Sequence, residues 1–266
     1  MLRSIARAKA AAILVPITAA LLLSGCATFG KKKGETPYVA RDVESLYIEA
    51  KQQLDKGNYK VAGALFDEVE RQHPYSEWAR RAEIMGAFTY YLQRDYNKAI
   101  DGAQRFLSIH PGNREAPYAT YLIALCYYEQ IADVDRDQKI TQEALDALNE
   151  VIRRYPQSEY AADSKLKIDL VNDHLAGKEM EIGRYYERAG LWLAAQIRFQ
   201  IVIDKYQTTS HTAEALYRLT ETNLALGIPD QAKKYAAVLG ANYPGSPWYQ
   251  RAYNLLGKKE PQLLKS

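Results

Sequence analysis

The chain has 266 residues, with 35 lysines and arginines against 32 aspartates and glutamates, and a formal net charge of +3. All three excess positive charges lie within the first nine residues, so the remainder is neutral. This balance argues against nucleic acid as a partner, because nucleic-acid-binding domains carry a basic surface.

Residues 1–25 are predicted to be a lipoprotein signal peptide. A basic start is followed by an apolar run at 10–23 and then by the lipobox Leu23-Ser24-Gly25-Cys26. The run has 14 residues, whereas an α-helix needs about 20 to cross a bilayer. We therefore expect cleavage between Gly25 and Cys26, rather than retention of the segment as a membrane span.

Cys26 is then the first residue of the mature chain and the site of lipid attachment. We expect diacylglycerol on its sulfur and an acyl chain on its amino group, because one chain alone binds membranes only reversibly. Residues 26–40 are predicted to be the lipidated N-terminus with a flexible tether. With Cys26 acylated, Cys126 has no disulfide partner, and its apolar surroundings indicate a buried side chain.

A turn motif and an alanine twelve residues before it recur through the rest of the chain. This spacing predicts an all-α, tetratricopeptide-type solenoid of five helical hairpins. The alanines are Ala62, Ala99, Ala144, Ala195 and Ala232. The predicted repeats are 41–76, 77–113, 114–158, 159–209 and 210–247. Residues 248–266 are predicted to form a C-terminal tail or a capping helix.

Resemblance to tetratricopeptide repeats implies that the first helix of each hairpin lines a concave face. In the first three repeats this face is rich in aromatic residues, which suits a peptide with large side chains. The alternative is that these rings only fill contacts between repeats, and the sequence leaves both possibilities open. The candidate substrate-peptide groove consists of Tyr47, Phe88, Tyr91, Tyr118, Tyr121 and Tyr128.

No motif for catalysis, phosphate binding or metal binding is found in the sequence. His73 and His110 precede turn prolines where other repeats have tyrosine, so they belong to the repeat pattern. Acidic pairs such as Glu179 and Glu181 are interpreted as solvated helix faces. We therefore predict a protein that is not an enzyme and has no cofactor or metal apart from its covalent lipid.

Finer sequence features resemble the BamD family of outer-membrane assembly lipoproteins. The resemblance rests on the lipobox, the turns and five segments of the third and fourth repeats, at 134–138, 154–161, 175–179, 183–190 and 194–199. It implies a lipid-anchored place on the periplasmic face of a Gram-negative outer membrane. It also implies binding to the periplasmic repeats of BamA, to other lipoproteins of the β-barrel assembly (BAM) complex, and to unfolded outer-membrane proteins. The alternative is a lipoprotein scaffold that organises cell-wall (peptidoglycan) enzymes.

Arg198 is the only charged residue in the segment 196–203. Resemblance to BamD relatives implies that it faces BamA and pairs there with an acidic residue. The alternative is an internal ion pair, for which Glu187 and Asp204 are the candidates.

Overall fold

The structure is a computed structural model that describes residues 41–134 and 136–259. The predicted signal peptide, its cleavage site, the lipid-attachment residue Cys26 and the tether up to residue 40 lie outside the described residues. Asp135 and residues 260–266 also lie outside them.

The described residues form eleven α-helices and no β-strand. The first ten pair into five antiparallel hairpins, and the eleventh follows the last hairpin. The hairpins are α1 (Val43–Asp55) with α2 (Tyr59–Gln72), α3 (Glu77–Leu92) with α4 (Tyr96–Ile109), α5 (Ala116–Tyr128) with α6 (Lys139–Arg154), α7 (Glu159–Arg188) with α8 (Trp192–Lys205), and α9 (Thr212–Ala225) with α10 (Pro229–Asn242), followed by α11 (Pro247–Lys259). The predicted all-α solenoid of five helical hairpins is confirmed.

Local sequence explains where the helices begin and end. The hydroxyls of Ser76 and Ser158 accept hydrogen bonds from backbone amides and cap the N-termini of α3 and α7. Gly57, Gly190 and Gly227 have φ angles of +73° to +77° between the two helices of their hairpins. A left-handed residue ends a helix at little cost when it has no Cβ.

The repeating alanines lie where the two helices of a hairpin touch. All five are fully buried, and Phe66, Phe106 and Phe199, which lie in the second helices, are among the largest fully buried side chains. Cys126 is also fully buried, as predicted, and burial raises the pKa of its thiol to about 12. The core is therefore a series of small apolar clusters, each shared by one hairpin and the next.

Helix α7 is about twice as long as the other helices and links two of these clusters. Val171 and Leu175 pack with the third hairpin, whereas Met180 packs with the fourth and fifth. Along the first four hairpins, the first helix of each contacts the first helix of the next. Among the described helices, none is long and apolar enough to cross a membrane.

Helix α11 packs on the fifth hairpin. Its Ala252 and Leu256 are buried in one cluster with Leu216 of α9 and Leu239 of α10. It therefore covers the apolar end of the hairpin stack, which a solenoid must shield from water at its last repeat.

Candidate functional site

Four of the six candidate groove residues belong to one continuous network of ring contacts. Ring centroids are 6.3 Å apart for Tyr91 and Phe88 and 6.4 Å apart for Phe88 and Tyr118. Tyr160 of α7 connects Tyr118 to Tyr121, because its ring centroid lies 5.7 Å from that of Tyr118 and 5.2 Å from that of Tyr121. All five side chains are half-buried. The structure thus assembles a band of partly exposed aromatic surface across α3, α5 and α7.

The other two candidate residues, Tyr47 and Tyr128, lie outside this network. The Tyr47 ring packs 4.9 Å from Trp78 and 5.6 Å from the buried Phe66. The Tyr128 ring lies 5.4 Å from the ammonium of Lys167. Each of them therefore takes part in packing between hairpins, as the alternative interpretation proposed.

A cleft of about 480 Å³ brings Tyr47 and Tyr118 to one site. Ile84, Met85 and Phe106 supply its apolar lining. Charged and polar residues complete the lining: Glu77, Arg80, Arg81, Asn113, Arg114 and Glu115.

The arginines of this cleft differ in their partners. Arg80 and Arg114 form ion pairs of 3.2 Å with neighbouring glutamates of their own segments. Arg81 instead lies over the ring of Trp78, with its guanidinium carbon 5.2 Å from the ring centroid. An apolar cavity with cationic groups around it suits a large side chain next to an acidic group.

The tyrosine hydroxyls of the aromatic band are neutral hydrogen-bond donors. Burial raises the pKa of Tyr91, Tyr118 and Tyr121 above its usual value. The Tyr121 hydroxyl also donates to the carboxylate of Asp163, which favours its protonated form. The band can therefore bind apolar groups through its ring faces, while the Tyr121 hydroxyl is held by Asp163.

Three aromatic residues that lie at the starts of helices were not among the residues predicted from sequence. Trp78, Tyr160 and Trp248 each lie four residues after a turn proline. Trp78 packs on Tyr47, Tyr160 packs on Tyr121, and Trp248 lies 5.4 Å from Tyr217. The recurring four-residue spacing was the signal that could have revealed them. Tyr47 and Tyr121 therefore contribute to packing between hairpins as well as to the exposed aromatic surface.

Arg198 forms an internal ion pair with Glu179 of α7, at 3.1 Å between guanidinium nitrogen and carboxylate oxygen. The partners suggested by the sequence, Glu187 and Asp204, were wrong. Glu187 binds Arg218 at 3.0 Å, and Asp204 accepts a hydrogen bond from a glutamine on its own helix. The reason is the antiparallel pairing of α7 and α8, which brings residue 179 opposite residue 198.

The interpretation of Glu179 and Glu181 as a solvated pair was also wrong. The side chain of Glu179 is only 20% exposed, and one carboxylate oxygen of Glu181 is buried. The Arg198 side chain keeps 35% of its surface exposed. Beside it on α8, Leu193 and Ile197 are 62% and 55% exposed and lie one helical turn apart. A partly exposed arginine thus adjoins an apolar stripe.

No group of three or more histidine, cysteine or acidic side chains arranged to hold a metal ion occurs among the described residues. Among the described residues, the aromatic band, the adjoining cleft and the Arg198 surface are candidate functional features.

Comparison with known proteins gives consistent matches over most of the sequence. A family model described as an outer membrane lipoprotein, YfiO, matches residues 39–239. A protein of Caulobacter vibrioides is 52% identical over 257 residues, covering 96% of this chain and 83% of its own length. One of Rickettsia prowazekii is 47% identical over 236 residues, covering 89% of this chain and 92% of its own length. Both are named outer membrane protein assembly factor BamD.

Among solved structures, a tetratricopeptide repeat protein of Thermus thermophilus is similar, with 19% identity and a TM-score of 0.38. It matches 81% of this chain and 99% of its own. The family resemblance predicted from the repeats and the lipobox is confirmed by the family model and by the two relatives, and the chain belongs to the BamD family of outer-membrane lipoproteins.

Proposed function

We propose that this chain is a non-enzymatic scaffold of the BAM complex. In this proposal it binds BamA and unfolded outer-membrane proteins, and the lipid on Cys26 holds it on the periplasmic face of the outer membrane. The names of its relatives support a role in outer-membrane protein assembly. The observation that carries the proposal is the band of half-buried aromatic side chains beside an apolar cleft.

The band suits an extended, unfolded segment with alternating apolar side chains. Aromatic rings contribute large contact areas at a low cost in side-chain entropy, and peptide sites use them as anchors. Leu166 and Leu170 on α7 are 67% and 60% exposed and are one helical turn apart, which adds apolar surface next to Asp163, the partner of Tyr121. The proposed ligand is the C-terminal segment of an unfolded outer-membrane protein, which ends in an aromatic residue.

We predict that such a peptide crosslinks to photoreactive probes placed at Tyr91 or Tyr121. Replacing its terminal aromatic residue with alanine should remove most of the crosslinking, because one desolvated aromatic anchor can contribute 2 kcal/mol or more to binding. The measurement is the crosslinked fraction at several peptide concentrations.

A probe at Tyr253 is the matched control. This tyrosine is 50% exposed and lies on α11, away from the aromatic band. Crosslinking that is equal at Tyr253, or confined to the last two hairpins, would contradict the proposed groove.

Arg198 is the proposed contact with BamA. Its partly exposed guanidinium donates to the carboxylate of Glu179 and has five N–H donors in all, so it can also donate to a carboxylate of a partner. The exposed Leu193 and Ile197 would supply apolar contacts beside it. Arginine is enriched at protein–protein interfaces, and the buried centres of these interfaces are apolar.

We predict that Arg198→Leu weakens binding to BamA at least tenfold, because a desolvated charge-assisted pair is lost. Glu179→Gln is the control, since it removes the internal pair but leaves the arginine free for the partner. We expect this variant to bind at least as tightly as the wild type. Affinities and melting temperatures of both variants should be measured together. Equal losses of affinity in both variants would mean that Arg198 acts only through its internal pair.

We predict that Cys26→Ser yields an exported protein that is lost from outer-membrane fractions in high salt. The sulfur is the proposed attachment point, and without acyl chains the remaining contacts depend on partner proteins. Fractionation of cells depleted of BamA distinguishes attachment through the lipid from attachment through this partner protein. Retention of the variant in washed membranes of those cells would refute the anchor.

Affinity purification of the lipidated chain tests the proposal as a whole. Recovery of BamA, a β-barrel protein, is expected. Recovery of peptidoglycan hydrolases instead would favour a cell-wall scaffold.

A further inference from the structure

Glu83 of α3 is a buried carboxylate that lacks a hydrogen-bond partner on one oxygen. Its side chain is 7% exposed, and the Oε2 atom is buried without a hydrogen bond. Burial and the nearby charge of Glu70 raise the pKa of this carboxyl group. A buried hydrogen-bond acceptor that lacks a donor lowers the stability of a folded protein.

In the first and fourth hairpins, the residue at this position is matched by a complementary residue on the second helix. The two positions are separated by 19 residues along the chain. In the first hairpin they are Leu46 and Leu65, which share one apolar cluster, and in the fourth they are Glu179 and Arg198, which form the ion pair. Each first-helix side chain therefore meets a partner suited to it.

The second hairpin breaks this pattern. Nineteen residues after Glu83 lies Gly102, so the hairpin has the acidic member of the pair without the arginine. Glu83 and Gly102 both line a cleft of about 560 Å³ between α2, α3 and α4, where Gly102 packs on Ala87. Ala82, Gly86 and Ala87 also line the cleft. The cleft is thus the counterpart of the space that Arg198 fills in the fourth hairpin.

The nearest cationic groups do not complete this pair. Arg105 on α4 binds Glu70 at 3.0 Å, and Lys98 binds Asp95 at 3.0 Å. The Nε2 atom of His110 lies 3.4 Å from Glu83 Oε2 and lowers the pKa of that carboxyl group, but this distance is too long for a strong hydrogen bond. Within residues 41–134 and 136–259, no arginine or lysine forms an ion pair with Glu83.

We propose that this cleft binds an arginine side chain from a partner polypeptide, whose guanidinium pairs with Glu83 as Arg198 pairs with Glu179. A guanidinium can form two parallel hydrogen bonds with a carboxylate, which an ammonium cannot. The small residues of the lining leave room for the apolar stem of the arginine. Four carboxylates line the cleft, those of Asp67, Glu70, Glu83 and Asp101, against three cationic side chains, those of Arg71, Lys98 and Arg105, so acidic groups are in the majority. The cleft exceeds the size of one side chain, so flanking backbone can enter with it.

The first test uses the full chain in detergent micelles, with methyl labels on its alanines. It is titrated with the peptide acetyl-Gly-Arg-Gly-amide and with the same peptide containing citrulline, which has the shape of arginine without its charge. We expect saturable shifts of the Ala82 and Ala87 methyl signals, with at least tenfold weaker binding of the citrulline peptide. Equal binding of both peptides, or no shift at these methyls, would overturn the proposal.

Two isosteric variants locate the effect. Glu83→Gln should abolish the difference between the two peptides, whereas Glu179→Gln, the matched change in the fourth hairpin, should preserve it. Preservation of the difference in Glu83→Gln would overturn the assignment to this carboxylate.

A second test supplies the arginine from the chain itself and does not depend on ligand affinity. Gly102→Arg is compared with Gly102→Gln, because both place a Cβ 3.2 Å from the Cβ of Ala87 and share that cost. We expect the arginine variant to melt about 2–4 °C higher, corresponding to roughly 1 kcal/mol. This advantage should disappear when Glu83→Gln is added. Identical melting of the two variants in the presence of Glu83 would show that the cleft does not accept a guanidinium.

Discussion

Phe199→Ala is expected to lower the free energy of unfolding by about 3–5 kcal/mol, the usual cost of removing a buried phenylalanine ring. Phe199 is fully buried on α8, in a cluster with Met180, Val202 and Leu219. This cluster connects the fourth and fifth hairpins, so the cavity would weaken the junction between two repeats. Urea unfolding followed by circular dichroism measures the effect.

The Phe199 ring occupies the place where a side chain on Gly183 would lie. A Cβ added to Gly183 would come within 2.4 Å of the ring. We therefore expect Gly183→Ala to destabilise the chain by about 1–3 kcal/mol, despite the better helix propensity of alanine.

Gly86→Ala is the matched control for this contact. Gly86 is also buried in a first helix, but its added Cβ would lie 3.5 Å from the Cβ of Phe66, an ordinary contact distance. This variant should gain up to about 1 kcal/mol from helix propensity. The double variant Gly183→Ala with Phe199→Leu should recover part of the loss. Unfolding of Gly183→Ala at the same urea concentration as Gly86→Ala would contradict the close packing of Phe199 on Gly183.

Arg218→Met is expected to destabilise the chain by about 3 kcal/mol at pH 8, since it leaves buried carboxylates without their main counterion. Arg218 of α9 lies 3.0 Å from Glu187 of α7, 3.3 Å from Glu214 and 3.1 Å from Glu221. Arg184 pairs with Glu214, at 3.2 Å. These partly buried groups connect the fourth and fifth hairpins through charge.

The same cluster predicts how stability depends on pH. Burial raises the pKa of Glu187 to about 7 from its usual 4.5, against the opposing attraction of Arg218. The folded chain therefore binds more protons than the unfolded chain between these values. The contribution of Glu187 is fully present below pH 4.5 and is lost as the pH rises through 7. The free energy of unfolding therefore falls across this pH range, because a tenfold change in proton affinity corresponds to about 1.4 kcal/mol.

Glu187→Gln isolates this contribution, because it removes the titrating group and keeps its shape. The unfolding free energy of the wild type should fall relative to that of the variant as the pH rises from 5 to 8. The other charged or aromatic groups of this region, Arg184, Glu214, Tyr217, Arg218, Glu221, Trp248 and Arg251, remain in both proteins. Glu150→Gln on α6 is the control, since arginine side chains hold the pKa of that exposed carboxyl below its usual value. Parallel pH profiles for wild type and Glu187→Gln would contradict the assigned proton.

The periodic features of this protein could be predicted from sequence. The repeated alanines, the bulky residues one and two turns later and the turn prolines gave the all-α solenoid, because each hairpin must bury its apolar faces against the next one. The family was also predictable, since the lipobox and the third and fourth repeats carry specific residues. The aromatic residues on the first helices were also predictable, because they recur at helical spacing.

Only the tertiary structure decided which aromatic residues meet. Tyr118 and Tyr121 are joined through Tyr160, which begins the next hairpin, and such a contact depends on how far one helix projects past another. Tyr47 was correctly placed on a first helix, but its packing against Trp78 depends on the distance between two hairpins. Spacing within one helix does not determine distances between helices.

The ion pairs, too, could be predicted only in part from the sequence. The sequence determined that Arg198 lies among apolar residues and needs a carboxylate, because an isolated buried charge is costly. It did not determine which carboxylate, since Glu179, Glu187 and Asp204 all lie close in sequence. The antiparallel register of α7 and α8 brings Glu179 to Arg198, whereas in the second hairpin Glu83 shares a cleft with Gly102, which has no side chain to pair with it. Sequence alone determined the number of hairpins and the composition of each helix face, whereas helix packing decided which charges are satisfied within the chain.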